Sequence, residues 1–169
     1  MATNQVLQEV QSAPGKHTAQ TDTVLIDLLN GLNDTCADCA YGFATCADHS
    51  NVSGHRTLFR KRAQEHRAAQ AQLHALVLRL GGIPVPSALN HGLLHRGWVA
   101  PYGTLCGLRD QSIAAECERG ESQACERYQQ ALQHDLSTSV RALIERQMQD
   151  LHASLQQIRM LGEPQRIAA

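Results

Sequence analysis

Residues 24–48 read VLIDLLNGLNDTCADCAYGFATCAD. Placed on a helix, Leu25, Leu28, Leu32, Cys36, Cys39, Phe43 and Cys46 recur at three- and four-residue steps and share one side. That side has to be buried, so three of the six cysteines of the chain are expected inside a helical core. A thiol there either packs as a small hydrophobe or ligates a soft metal, and this choice governs the functional reading.

The rest of the chain fits the same architecture. With 169 residues, 43% hydrophobic and only 4% aromatic, it has enough material for one core. Ala, Leu and Gln dominate, which suits helices better than sheets. A formal net charge of −1 offers no strong field, so neither nucleic acid nor a membrane surface is expected as a partner. Residues 1–20 lack the apolar segment of a secretory signal, and no apolar run is long enough to cross a bilayer. A cytoplasmic location is expected, with the cysteines as thiols unless they bind metal.

In chain order, residues 1–20 read as a loose arm, residues 21–162 as the bundle and residues 163–169 as a tail. The first helix runs from about Asp22 to Asp48, and the polar cluster His49, Ser50, Asn51 ends it. A second, from about His55 to Leu80, buries Phe59, Ala63, His66, Leu73 and Val77, and Gly81, Gly82 and Pro84 stop it. Its basic run, from Arg56 to Arg67, reads as a solvated flank facing the acidic first helix. Residues 83 to about 108 form a long connection with room for a short helix over 88–98. Helix three, from Asp110 to about Gln133, buries Ile113, Cys117, Ala124 and Tyr128; helix four, after Ser137 to Leu161, buries Ile144, Gln147, Leu151 and Ile158. The expected fold is all-α: a ferritin-like four-helix bundle of two antiparallel hairpins joined by a long crossover containing a short helix.

The segments TCADCAYGF, FRKRAQEHRAAQAQL closed by LGG, LLHRGW, AAECERGESQACERY and VRALIERQ, followed by His152 and Ile158, carry a resemblance. The chain resembles a bacterial ferritin-like bundle family, the domain of unknown function 2383, over about residues 24–161, with ECERGE and LHRGW the most specific pieces. The resemblance implies the bundle and brings no activity with it. Against the family pattern, acidic residues in the middle of the first helix are replaced near Ala40, and Cys39 and Cys46 are additions.

Ferritin-like di-iron sites take a Glu from each of two helices and Glu-x-x-His from each of the other two. Here the first helix has no Glu, Ala63 stands three before His66, and Gln149 stands three before His152, so that centre is not expected. Level matching points to a smaller site. Paired positions of the first two helices add to about 102, which sets Cys36 level with His66; those of the last two add to about 272, which sets Glu121 level with Leu151 and His152. Cys36, His66, Glu121 and His152 are thus expected in one layer, with Cys39 and Cys117 one turn away. Thiolate and imidazole suit one transition metal, Zn, Cu or Fe, rather than Mg or Ca. The bland alternative is that the cysteines only pack and that Gln147 and Glu121 hydrogen-bond each other or Arg67.

Cys36-Ala-Asp-Cys39 lies inside a helix rather than at the helix start beside a βαβ unit, which argues against thioredoxin-type redox chemistry. No Ser-His-Asp order or phosphate-cradling glycine loop is present. The leading reading is a non-enzymatic bundle protein holding a transition metal in its core. The alternatives are a metal-dependent redox protein of degenerate ferritin type and a low-capacity thiol-based copper or zinc binder. Apolar positions flanking the main stripes predict a homo-oligomer, most simply a dimer.

Overall fold

Leu29, Leu32, Cys36, Cys39, Phe43 and Cys46 are buried along one side of α1 (Ala19–His49), which runs unbroken through Gly31 and Gly42. The computed structural model describes residues 19–84 and 109–162. After α1 come α2 (Ser53–Arg79), α3 (Asp110–Ala131) and α4 (Thr138–Gly162), so the described residues are all-α, as a four-helix bundle requires. The expected N-terminal arm, the crossover with its short helix and the C-terminal tail lie outside the described residues, as does Cys106.

Helix directions follow from which residues touch. Arg60 pairs with Asp48 across the α1–α2 turn, so these helices are antiparallel. Ser50 meets Asp110 while Thr35 meets Arg127, so α1 and α3 are also antiparallel. Arg159 reaches Glu118 and Tyr128 reaches Gln147, which makes α3 and α4 antiparallel. It follows that α2 and α3 run parallel, as a ferritin-like bundle demands, and that their levels match as the sequence predicts.

The core is one cluster in which Phe43 and Phe59, both fully buried, approach with ring centroids 6.2 Å apart. Burying each such ring contributes about 1.5–3 kcal/mol. The Asp48–Arg60 pair is largely exposed, so the predicted charge complementarity adds little to that.

The two hairpins are also tied at one end. Asp110 Oδ1, in the first turn of α3, accepts from the Ser50 hydroxyl and from the amides of Asn51, at 2.9 Å, and Val52, at 3.3 Å. At the other end of α2 the Gly82 amide bonds Val77 carbonyl and the Gly81 amide bonds Leu78 carbonyl, both at 3.0 Å, with Gly81 at φ +76°. This is a Schellman stop, and it needs a residue free to take the left-handed region. A Cβ on Gly82 would sit 2.8 Å from the Ile26 side chain, so α1 packs directly on that stop.

A candidate metal centre in the bundle core

His66 and Glu121 face each other across the parallel α2–α3 pair, with His66 Nε2 2.8 Å from Glu121 Oε2. His66 is 4% exposed and Glu121 0%. Their positions on the inward faces of α2 and α3 follow from the helical period, and Phe43 of α1 stacks on the imidazole at 5.5 Å. Cys39, one turn before Phe43, brings its sulfur to the same place. One ligand atom each from Cys39, His66 and Glu121 lies within 4.8 Å of the other two, and all three residues are buried.

A chain of hydrogen bonds beside this trio has a fixed direction. The Ala69 carbonyl can only accept, so the Gln147 atom facing it at 3.3 Å is the amide nitrogen, which also donates to Gln72 Oε1 at 2.8 Å. Gln147 Oε1 then accepts from the Tyr128 hydroxyl at 2.8 Å. With its one proton spent, Tyr128 accepts from Cys36, whose Sγ is 3.1 Å away. Cys36 also lies beside His66. Burial pushes the imidazole down, but its hydrogen bonds to Cys36 and Glu121 and the Glu121 charge outweigh that and raise its pKa to about 9.

The layer expected from the sequence is thus only partly assembled. Cys36, His66 and Glu121 do meet, but Cys36 is drawn into the Tyr128 chain and Cys39 takes the place beside the imidazole and carboxylate. Cys117 lies elsewhere in the core against Cys46, where burial and that neighbouring thiol push its own thiol well above the ordinary range. His152 is exposed; its neighbour Leu151 is the residue that turns inward, because one step along a helix rotates a side chain by about 100°. Gln147 and Glu121 do not bond each other or Arg67, which is exposed.

Two further residues were not singled out as site candidates from the sequence. Tyr128 reads there as packing, since nothing in its spacing signals a partner for the hydroxyl. Arg62 reads as part of the solvated basic flank, yet it is buried: it bonds Glu65 Oε2 at 2.5 Å and Gln157 Oε1 at 2.7 Å. The signal that marks it is the spacing Arg62, Phe59, His66, which places all three on the inward half of α2.

A cavity of about 310 Å³ opens between α2, α3 and α4, with His66, Glu121, Tyr128 and Gln147 on its wall and Arg62 and Asp150 beside them. Glu121 Oε1 is buried there without a hydrogen-bond partner among the described residues.

The carboxylate di-iron centre of ferritin-like bundles does not fit these residues. Ala63 is buried with no ligand atom to offer, and Gln149 and His152 both face outward.

A family profile for a domain of unknown function, DUF2383, matches residues 24–134. The chain belongs to the DUF2383 family. The DUF2383 match spans the whole of α1 from Val24 onward, α2 and α3, so Cys39, His66 and Glu121 all lie inside it, whereas α4 begins beyond it. No curated protein matches the chain. Among the described residues, no helix is long and apolar enough to cross a membrane.

Proposed function

We propose that this DUF2383 protein binds one transition-metal ion in its core through Cys39, His66 and Glu121. The observation that carries the reading is the convergence of a sulfur, an imidazole nitrogen and a carboxylate oxygen, from three helices, within 4.8 Å of one another. Ligand atoms around a tetrahedral zinc ion stand about 3.5 Å apart, so closing the trio requires shifts of roughly 1 Å, within the reach of side-chain rotation. One thiolate, one imidazole and one carboxylate favour a borderline divalent ion, with Zn(II) first; Mg and Ca prefer more oxygen ligands. His66 would bind through Nε2, leaving its other N–H on Cys36, as metal-bound histidines usually donate to a fixed outer partner. Cys36, Tyr128 and Gln147 then serve to hold that ring.

The test is elemental analysis of untagged protein prepared under reducing, chelator-free conditions, repeated for Cys39→Ser and His66→Gln. Near-stoichiometric Zn in the parent, with loss in both variants while helicity by circular dichroism is retained, supports the reading. A parent that holds no metal and takes none up on addition of Zn(II) sinks it and leaves the His66–Glu121 pair as packing.

A further inference from the structure

We propose that Cys46 and Cys117 are a site of reversible disulfide formation, through which the first hairpin is locked covalently to the second. The two thiols come from facing helices, α1 and α3, and both residues are 0% exposed. Cys46 lies directly against Cys117. The antiparallel register that sets Ser50 against Asp110 and Cys36 against Tyr128 also sets Cys46 against Cys117, so the contact belongs to the bundle rather than to one rotamer. A disulfide needs its Cα atoms roughly 4.4–6.8 Å apart, which packed helices reach where small side chains separate them. Ala47 stands beside Cys46, and Ala114 and Gly120 stand one turn to either side of Cys117, all three buried. The Gly120 carbonyl oxygen is 4.0 Å from the Cys39 sulfur of α1, so the two helices pass closely there. Both cysteines are free thiols in this structure, and neither belongs to the Cys39, His66 and Glu121 trio, so the inference is independent of the metal reading.

The surroundings favour a disulfide over a metal held by the same pair. Burial, the Cys46 thiol and the charges of Glu121 and Glu116 hold the Cys117 thiol well above the ordinary range. They equally disfavour a monovalent metal held by two thiolates, which is an anion, whereas a disulfide is neutral and gives up both protons. The oxidant is a low-molecular-weight disulfide. The Cys46 thiolate attacks it, forming a mixed disulfide and expelling one small thiolate; the Cys117 thiolate then attacks the Cys46 sulfur, and the second small thiolate leaves as the Cys46–Cys117 bond forms. The two protons lost by the cysteines end on the two small thiols, so the cysteine pair is oxidised by two electrons and one small disulfide is reduced. Because neither residue is exposed, exchange takes place while α1 and α3 are apart, and the bond then holds them together. It closes a loop of about 70 residues that contains the whole of α2, which restricts the unfolded chain and so stabilises the bundle.

Metal-free full-length protein, unfolded in urea and refolded in glutathione buffers of stepped potential, tests this once free thiols are blocked and peptides are mapped without reduction. The expected result is one dominant link, Cys46–Cys117, at the oxidising end, reversed by reduced glutathione, with a thermal midpoint raised by roughly 10 °C over the reduced protein. In Cys46→Ala and Cys117→Ala, whose folding circular dichroism checks, the same treatment should leave the midpoint unraised. The peptide map of the parent decides alone if neither variant folds. Dominance of any other pairing, Cys36–Cys39 included, overturns the proposal, as does a pair that stays reduced in the most oxidising buffer. A Cys46–Cys117 link that leaves the midpoint unchanged or lowers it overturns the lock, because the bond would then be made at the cost of the register that sets the two sulfurs together.

Discussion

The His66 imidazole sits between the Glu121 carboxylate and the Cys36 sulfur, and both neighbours favour its charged form. Its folded-state pKa of about 9 lies above the ordinary 6.5, so its contribution to stability is present in full below about pH 6.5 and is lost as pH rises through 9. Urea unfolding of metal-free protein should therefore show a falling midpoint from pH 6 to pH 9.5 that His66→Gln flattens. A variant as steep as the parent would place the titration elsewhere. The Tyr128 hydroxyl makes a second prediction. Tyr128→Phe leaves the buried Gln147 Oε1 without a donor and should cost about 1–3 kcal/mol in urea unfolding, although phenylalanine is the more apolar residue. At this scale the sequence shows that His66, Glu121 and Cys39 point inward, because helical period alone decides that. It does not show which cysteine of α1 stands with them, because a level estimate good to one helical turn cannot separate Cys36 from Cys39.

Two features belong to single elements. Gly81, with φ +76°, makes the stop that turns the chain out of α2. Gly81→Ala should cost about 1 kcal/mol, read as a lowered thermal midpoint with unchanged helicity. Midway along α1, Asp38 is pushed up to about 7, chiefly by burial, with Asp34 adding to the effect and Arg127 opposing it. A carboxyl raised from 3.8 penalises the folded state increasingly as pH climbs from about 4 to 7. Asp38→Asn is accordingly expected to raise the thermal midpoint at pH 8 and to change it little at pH 4; equal shifts at both would point to a cause other than the charge. The helices themselves were legible to within a few residues at their ends, since Leu, Ala and Cys at three- and four-residue steps fix a buried face. Arg62 was not, because a charged residue inside a basic run reads as solvated unless its partners Glu65 and Gln157 are seen.

Across the whole molecule, level matching within each hairpin anticipated that Cys36 lies beside His66, whereas the Tyr128–Gln147 and Arg159–Glu118 contacts set Glu121 about one turn further along α4 than Leu151. It missed the rotation that turns His152 out and Leu151 in, since a level estimate good to one helical turn says nothing about azimuth. Val24, Tyr41, Leu78 and Met160 remain on the outside of the bundle, each about half exposed or more. A self-associating chain would cover such residues, and the expected outcome by light scattering after size exclusion is a mass about twice the 18.5 kDa of one chain. A single-chain mass at every concentration would refute it. The tether at Asp110 has a consequence for how the hairpins open. The Asn51 and Val52 amides lie in an exposed turn of the first hairpin, where hydrogen exchange is ordinarily fast, yet both donate to a carboxylate of the second. Their deuterium uptake is therefore a clock for separation of the two hairpins, and in Asp110→Ala it should run at the rate of a free loop while the middle of α1 stays protected.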